Sequence, residues 1–334
     1  MIGCVRMNEK QLLLVRCLAD GEYHSGELLG QIAGVSRAAV WKQLQSLQLL
    51  GIEVVSQKGR GYVIKGGLAL LSSAALQSAL DESAQQMVSK LTILQQTDST
   101  NQAVLNAVPQ GAGHGLVVLA EQQTAGRGRR GRVWASPYGA NIYLSVGWRF
   151  SLGAAALEGL SLAVGVAVAH ALKVLGYPQS QLKWPNDVLV DGKKLGGILL
   201  EMTGDASGEC YVVVGIGLNV RMPVLAGEDI GQPWVDLASL PCSEGGRDRS
   251  LIAAEILNQL LPLLAGYERM GFSPYRYQWE QLSAHQGQEV VLVTPSEQIK
   301  GVQLGVTDAG GVRLQLAVGE RVFLGGEISL KAGS

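Results

Sequence analysis

The chain has 334 residues, 47% hydrophobic and 16% charged, with a mean hydropathy of +0.18. That is long enough for two or three cores and too apolar for a disordered chain. Lys and Arg total 27 against 28 Asp and Glu, a formal net charge of −1, which excludes a surface that binds nucleic acid or acidic membrane throughout and leaves local basic patches open. Glycine is in excess at 44 residues, about 13% of the chain where roughly 7% is usual, and without a Gly-X-Y period this means tight turns and backbone-lined loops.

In chain order, residues 8–65 read as compact and helical. Asn8 caps a first helix with Gln11 at its third position; Leu14, Cys17 and Leu18 follow at helical spacing, and Asp20-Gly21 ends it. A second helix runs from Ser25 to about Ala33, and Ser36 caps a third through Leu50, with Val40, Leu44 and Leu47 facing inward. Two strands then flank Lys58-Gly59-Arg60-Gly61. This order reads as a winged helix-turn-helix. Eight Lys and Arg against five Asp and Glu give residues 1–65 a charge of +3, so the remainder carries −4. Ser36, Arg37, Lys42, Lys58 and Arg60 are the candidate DNA-binding residues, since charge on the third helix and hairpin tip is where phosphates would be met. A small helical adaptor with a solvated polar face is the other reading of the same pattern.

Residues 67–90 read as a linker with a short helix from Ser72 to about Asp81. From 91 to 283 strands alternate with helices. The strand candidates are Leu116–Ala120, Asn141–Trp148, Val188–Val190, Ile198–Met202 and Tyr211–Leu218; the helices are Leu157–Leu175 and Ser250–Met270. Short turns such as Asp191-Gly192 imply a mixed or antiparallel sheet with helices packed on it. The stretch 157–175 contains Glu158, His170 and Lys173 and is too interrupted to span a membrane. In residues 284–334, strands Glu289–Thr294, Ile299–Thr307, Val312–Ala317 and Arg321–Leu324 are punctuated by Pro295-Ser296-Glu297, Asp308–Gly311 and Gly319-Glu320, which reads as an SH3-like β-barrel. The fold class expected is thus multidomain α+β: a DNA-binding domain over 1–66, a linker over 67–90, a mixed α/β domain over 91–283 and the barrel over 284–334.

The N-terminus has no basic region followed by an apolar one, and Met7 is an alternative start. Cys4, Cys17, Cys210 and Cys242, like His24, His114, His170 and His285, are scattered without zinc-ligand spacing. A cytoplasmic, reduced protein without a protein-only metal site is expected.

The chemistry concentrates in two stretches. Gly126-Arg127-Gly128-Arg129-Arg130-Gly131-Arg132 places four arginines among three glycines; glycine lets backbone N–H groups approach a ligand while guanidinium forks neutralise phosphate or carboxylate. It matches neither a Walker A loop nor a dinucleotide fingerprint. A disordered Arg-Gly tail or a solvated charge run would look alike in composition, but this run is single, flanked by folded sequence and followed by Trp134. The second stretch is Lys183-Trp184-Pro185-Asn186-Asp187, leading to Asp191-Gly192-Lys193-Lys194-Leu195-Gly196-Gly197. Asn186 and Asp187 could orient a nucleotide or hold Mg²⁺, and Lys194 entering an apolar strand is a natural point charge for a phosphoryl transition state. An ordinary hairpin with exposed lysines is the plainer reading. Gly196-Gly197 and Gly215–Gly217 mark bulges, close approach of a ligand, or plain packing.

Together with Asp98-Ser99-Thr100-Asn101, Glu121–Thr124, the Gly-Gly-Glu-Ile-Ser-Leu stretch ending at Leu330, Val35–Val40 and Lys58–Tyr62, these stretches resemble the biotin–protein ligase family, in its bifunctional repressor form, over about residues 8–331. The resemblance implies that biotin and ATP are substrates, with Mg²⁺ accompanying ATP, and that biotinyl-5′-AMP forms and passes biotin to a lysine of biotin carboxyl carrier protein. It implies repression at the operator of biotin biosynthesis genes, by a homodimer bound to biotinyl-AMP. By the same resemblance Ser99, Thr100, Asn101, Gln123, Gly126, Arg127, Gly128, Arg129, Lys194, Gly215 and Gly217 hold biotin. Arg129, Arg132, Asn186, Asp187, Lys194, Asn219 and Trp234 hold the nucleotide, and Arg129, Lys194 and Arg132 are catalytic. Val133 stands where the family has a basic residue, and Lys331 where it has an arginine. A ligase-like sensor that has lost catalysis would lack part of the phosphate set, which is complete here; a lipoate ligase would lack the winged helix joined to this Arg-Gly loop.

Overall fold

The computed structural model describes residues 6–153, 157–205, 208–228, 230–241, 248–294, 297–324 and 329–332. Cys4, Cys242, the Pro295-Ser296 turn and Gly325–Ile328 of the C-terminal motif lie outside them.

At the N-terminus the caps fold as their chemistry dictates. Asn8 and Gln11 make a reciprocal capping box at the start of α1 (Glu9–Leu18), Ser25 caps α2 (Gly26–Ala33) and Ser36 caps α3 (Arg37–Leu47). The third helix ends three residues before the expected Leu50, tightening to a 3₁₀ turn that Gly51 stops at φ 77°. Leu14, Leu18, Leu29, Val40, Leu44 and Leu47 form a small core, while Cys17 is only half-buried. Strands β1 (Val54–Gln57) and β2 (Gly61–Ile64) pair antiparallel, closed at Gln57–Gly61. Gly61, at φ 109°, lies where a Cβ would collide with the His24 carbonyl, and a His24–Tyr62 bridge docks the hairpin there.

The next residues are not a free spacer. Leu68 N–H donates to the Ala19 carbonyl at 2.9 Å, and Leu68 and Leu70 pack with Tyr138 against the N-terminal core. The expected short helix is α4 (Ser73–Ala79); Asp81 then caps an unforeseen α5 (Glu82–Met87), and Leu76 and Ala84 bury their side chains in the main core.

The central sheet has seven strands: β3 (Lys90–Leu94), β4 (Leu116–Ala120), β5 (Ile142–Phe150), β6 (Gln181–Lys183), β7 (Asp187–Val190), β8 (Lys193–Gly204) and β9 (Cys210–Leu218), in the order β3-β4-β5-β9-β8-β7-β6. Only β3–β4 is parallel. Asp191 (φ 50°) and Gly192 (φ 72°) make the tight β7–β8 turn. Alternation sorts the two faces. Leu144, Val146, Val212, Val214, Ile216 and Ile198 face the main core, where α7 (Leu160–Val174) and, after the single turn of α8 (Val224–Gly227), α9 (Arg249–Met270) pack. Tyr143, Ser145, Gly215, Gly217, Gly197, Leu199 and Glu201 have the opposite parity. There, the short α6 (Thr100–Ala107) covers parts of β4, β5 and β9, and the rest of that face carries a cavity. Helix α7 starts later than expected because Gly159 holds φ 75° directly before it. Helix α9 is long and apolar enough to cross a membrane, but Ile252, Ala253, Ile256, Leu257, Leu260 and Leu261 are buried in the protein core.

An unforeseen α10 (Ser273–Leu282) leads to a five-stranded antiparallel sheet of β10 (Glu289–Val293), β11 (Gln298–Val306), β12 (Val312–Leu316), β13 (Gly319–Phe323) and β14 (Ser329–Ala332), in the order β13-β12-β11-β10-β14. Val290, Leu292, Val306 and Leu314 continue the main core. The buried Trp184 donates from Nε1 to the Gly310 carbonyl at 2.9 Å, fastening this sheet to the Lys183–Asp187 stretch.

One buried ion pair joins the parts. Arg249 Nη2 lies 2.5 Å from Glu121 Oε2, with side chains 2% and 0% exposed. Glu121 Oε1 accepts from Leu71 N–H at 2.6 Å, and Arg249 donates to the carbonyls of Ala69 and Asn141. Replacing Arg249 by Met leaves a buried carboxylate without its partner and should destabilise the fold by about 3–5 kcal/mol, read by urea denaturation.

Candidate active site

The cavity on the open face of the sheet has a volume of about 190 Å³. Its neutral end is built from α6 and the segment after β4. Thr100 N–H donates to Gln123 Oε1 at 2.9 Å, with Thr100 Oγ1 3.1 Å from the same oxygen; Gln123 Nε2 donates to Ser136 Oγ at 3.1 Å. Ser145 Oγ lies 2.7 Å from Thr100 Oγ1 and 2.6 Å from Asn101 Oδ1. Ser99, Thr100, Asn101 and Gln123 are all buried. Hydrogen-bonded groups of this kind, held in fixed rotamers, recognise a neutral polar ligand by pairing donors and acceptors.

The other end is basic. Among the described residues, Arg127, Arg129, Arg130, Arg132, Lys183 and Lys194 line the cavity against the single acid Asp187. The Arg-Gly loop folds back on itself: Gly128 N–H donates to the Arg132 carbonyl at 2.7 Å and Trp134 N–H to the Gly126 carbonyl at 2.9 Å. Arg130 (φ 58°) and Gly131 (φ 70°) turn the tip. Lys194 Nζ lies 2.7 Å from Asp187 Oδ1, both side chains 15% exposed, and Arg129 Nη1 lies 3.4 Å from Asn186 Oδ1. Burial, and then the neighbouring charges of Arg130 and Arg132, pull the Arg129 guanidinium below its ordinary pKa, against the opposing pull of Asp187. An anion entering here would relieve that repulsion. Catalysis by such a site rests on positioning and on stabilising negative charge.

Of the candidate ligand residues, Ser99, Thr100, Asn101, Gln123, Arg127, Gly128, Arg129, Arg132, Asn186, Asp187, Lys194, Gly215 and Gly217 line this one cavity; Gly126, Asn219 and Trp234 do not. Gly126 leaves room for Ser136 Oγ and the Trp134 carbonyl. Asn219 Nδ2 donates to the Val235 carbonyl at 3.1 Å, and Trp234 bridges to Lys194, whose N–H and carbonyl bond to Pro233 and Val235 at 3.0 Å. Both therefore brace the backbone that presents Lys194. The strand glycines make room for side chains: a Cβ on Gly215 would collide with Asn101 Oδ1, and one on Gly217 would lie 2.5 Å from Trp134 Cε2. Gly196 also borders the register shift between β7 and β8.

Sequence reasoning missed Ser136, in the loop just beyond Trp134, and Ser145 and Glu201, which no local motif marks and which pairing of distant strands brings to the site. Trp134, noted only as a flank, is a wall of the cavity; Lys194 Nζ lies 5.5 Å from its ring centroid, and the buried Trp134 Nε1 has no partner among the described residues.

Ser36, Arg37, Lys42, Lys58 and Arg60 are exposed and none lines the cavity. The Ser36 hydroxyl caps α3, and Arg60 stacks 4.0 Å from the Tyr23 ring centroid. Trp41, 54% exposed on α3, shares that helix with Arg37 and Lys42 and was not singled out.

The profile of the biotin/lipoate A/B protein ligase family matches residues 93–219, that of an HTH domain matches 10–63, and that of the biotin protein ligase C-terminal domain matches 285–331. The bifunctional ligase/repressor BirA of Salmonella typhimurium is 38% identical over 96% of this chain and 97% of its own length. The protein of the same description from Escherichia coli is 37% identical over 97% and 98%. A solved structure, biotin protein ligase from Aquifex aeolicus in complex with biotin and ATP, superposes with a TM-score of 0.62 at 28% identity, covering 73% of this chain and all of that one.

Gly217→Ala should push the Trp134 indole out of its place, lowering stability by about 1–3 kcal/mol and changing the near-ultraviolet circular dichroism.

Proposed function

The chain belongs to the biotin–protein ligase family, among its bifunctional ligase/repressors, and from this premise we propose that the cavity bordered by α6, β5, β8 and β9 is where biotin and ATP react. The protein is an ATP-dependent, AMP-forming biotin–protein ligase and a transcriptional repressor of biotin biosynthesis genes. Its substrates are biotin, ATP and a biotin-carrier protein, and it meets DNA through its helix-turn-helix.

The observation that carries the assignment is the polarity of the cavity, neutral at one end and, among the described residues, with six basic residues against one acid at the other. Biotin has a neutral ureido head and a carboxylate tail. We place the head with Ser99, Thr100, Asn101, Gln123 and the backbone of Gly215 and Gly217, which points the carboxylate at the basic end. There a carboxylate oxygen attacks the α-phosphorus of ATP, the bond to the β-phosphate oxygen breaks, and pyrophosphate leaves. The acceptor lysine's amine then attacks the acyl carbon of biotinyl-5′-AMP, AMP leaves with the bonding pair, and the amine sheds its proton. No enzyme nucleophile is needed. Arg129, Arg132 and Lys194 stabilise the charge that builds on the phosphate, with Asp187 fixing the ammonium of Lys194 at 2.7 Å. Arg127 and Gly128 belong to the loop that covers biotin, and Gly126 supports it. Asn186 orients the nucleotide, and Asn219 and Trp234 serve it by bracing Lys194.

Among the described residues no cluster of three acidic, His or Cys side chains could cage a metal. The residues fit Mg²⁺ that arrives on the triphosphate, with Asp187 as the one carboxylate among the described cavity residues that would touch it; the metal would neutralise the leaving pyrophosphate.

In finer detail we read the β1–β2 hairpin as the wing of a winged helix-turn-helix, with Ser36, Arg37 and Lys42 on the operator of biotin biosynthesis genes and Lys58 and Arg60 on phosphates. The five C-terminal strands we read as an SH3-like barrel. The domain division stays at 1–66, 67–90, 91–283 and 284–334, and the acceptor is biotin carboxyl carrier protein in the cytoplasm. Biotinyl-AMP, by ordering the loop that covers it, favours the homodimer that binds a two-fold operator.

Biotin-dependent ATP–pyrophosphate exchange tests this reading with lipoate as the control; absence of exchange with biotin would sink it. Lys194→Ala should lower the exchange rate about 10²-fold, roughly 3 kcal/mol of transition-state stabilisation. Sedimentation with and without biotinyl-AMP should show ligand-dependent dimers, and an unchanged monomer would refute the coupling.

A further inference from the structure

We propose that Glu201, on β8, is a positioning residue for biotin: one carboxylate that sets an amide on the cavity floor and holds the loop above it. The inference rests on the assignment of the cavity to biotin.

Glu201 Oε2 accepts from Asn101 Nδ2 at 2.7 Å, and its two oxygens lie 3.2 and 3.3 Å from Arg127 Nη2. Asn101 is 3% exposed, and its amide is committed on both sides: Oδ1 accepts from Ser145 Oγ at 2.6 Å, and Nδ2 also reaches the Leu199 carbonyl at 3.4 Å. Gly215 lies close beneath it. The amide therefore has one orientation, and Glu201 supplies half of what fixes it. Arg127, in the Arg-Gly loop, has Gln102 Oε1 as its other partner, at 3.3 and 3.4 Å. Glu201 is thus the one group bonded to both Asn101 on the floor and Arg127 in the loop, among the described residues.

Its placement suits the chemistry. Asp187 inside the cavity is neutralised by Lys194, whereas a further, unpaired carboxylate there would repel both biotin's carboxylate and the phosphates. Glu201 does not line the cavity and acts through Asn101 and Arg127. The Arg127–Glu201 pair is 39% and 28% exposed, so water weakens it. A weak tether lets a loop open to admit a ligand and close again, where a buried pair would lock it.

The test is the biotin dependence of ATP–pyrophosphate exchange in the wild type, Glu201→Gln, Arg127→Ala and the double variant. Glutamine keeps an acceptor for Asn101 and removes the charge that holds Arg127. Glu201→Gln should raise the KM for biotin about fivefold with kcat within about twofold, the signature of lost uniform binding. In the Arg127→Ala background the same substitution should change KM less than about 1.5-fold, because the interaction is already gone. Independent, multiplying effects, or an unchanged KM in Glu201→Gln, overturn the inference; a fall in kcat alone does so too. Thermal melting checks that Glu201→Gln is folded. Should it not be, the wild type decides: its KM for biotin should rise between about 20 and 200 mM salt more steeply than that of Arg127→Ala, and equal slopes overturn the inference. A wild type without biotin-dependent exchange overturns the reading of the cavity and this inference with it, whereas normal exchange with independent effects overturns this inference alone.

Discussion

A carboxylate and a guanidinium taken wholly out of water must satisfy each other and every remaining lone pair and proton, or the fold does not form. The Glu121–Arg249 pair meets that demand by drawing in backbone from the segment after the N-terminal core (Ala69, Leu71) and from the entry to β5 (Asn141), with Glu121 itself at the end of β4 and Arg249 at the start of α9. Gln123, two residues beyond Glu121, holds Thr100 and Ser136, so the neutral end of the cavity inherits its placement from the same junction. Position, more than net stabilisation, is what this pair supplies.

The glycine excess acquires a physical meaning at the same face of the sheet. Gly215 and Gly217 on β9 and Gly197 on β8 share one parity, and above them sit Trp134 and Asn101, the latter in the first turn of α6. A strand face without side chains lets a polar amide and an indole lie close to backbone, and the hollow between them is the cavity. The opposite parity of the same strands, Val212, Val214 and Ile216, fills the core under α7 and α9. The sequence alternates between packing and recognition residue by residue.

That alternation explains what could be read in advance. Caps and hydrophobic spacing marked the three N-terminal helices, since Asn8, Ser25 and Ser36 act on neighbours three residues away. The Arg-Gly loop and the Lys183–Asp187 stretch stood out because their residue types are unusual wherever they occur. Helix α6 escaped because its buried residues, Thr100, Asn101 and Val104, are mostly polar and give no apolar stripe. Strand β6 is three residues long, and α10 buries little besides Trp279. Glu201 and Ser145 became visible only when β8, β9 and β5 were laid side by side, because no short-range pattern records which strands are neighbours. Asn219 and Trp234 entered the nucleotide set by family resemblance alone, and in the structure they support the chain that carries Lys194.

The segment from Gly67 to Ser72 has a consequence for DNA. Its backbone is tied at Leu68 to Ala19, at Leu71 to Glu121 and at Ser72 to Ser250, so it holds no slack between the DNA-binding helices and the catalytic core. In the proposed dimer the distance and twist between the two recognition helices would then be set by how the catalytic cores meet. Half-sites moved by one base pair would be turned about a tenth of a helical turn out of phase, with no flexible joint to absorb the error.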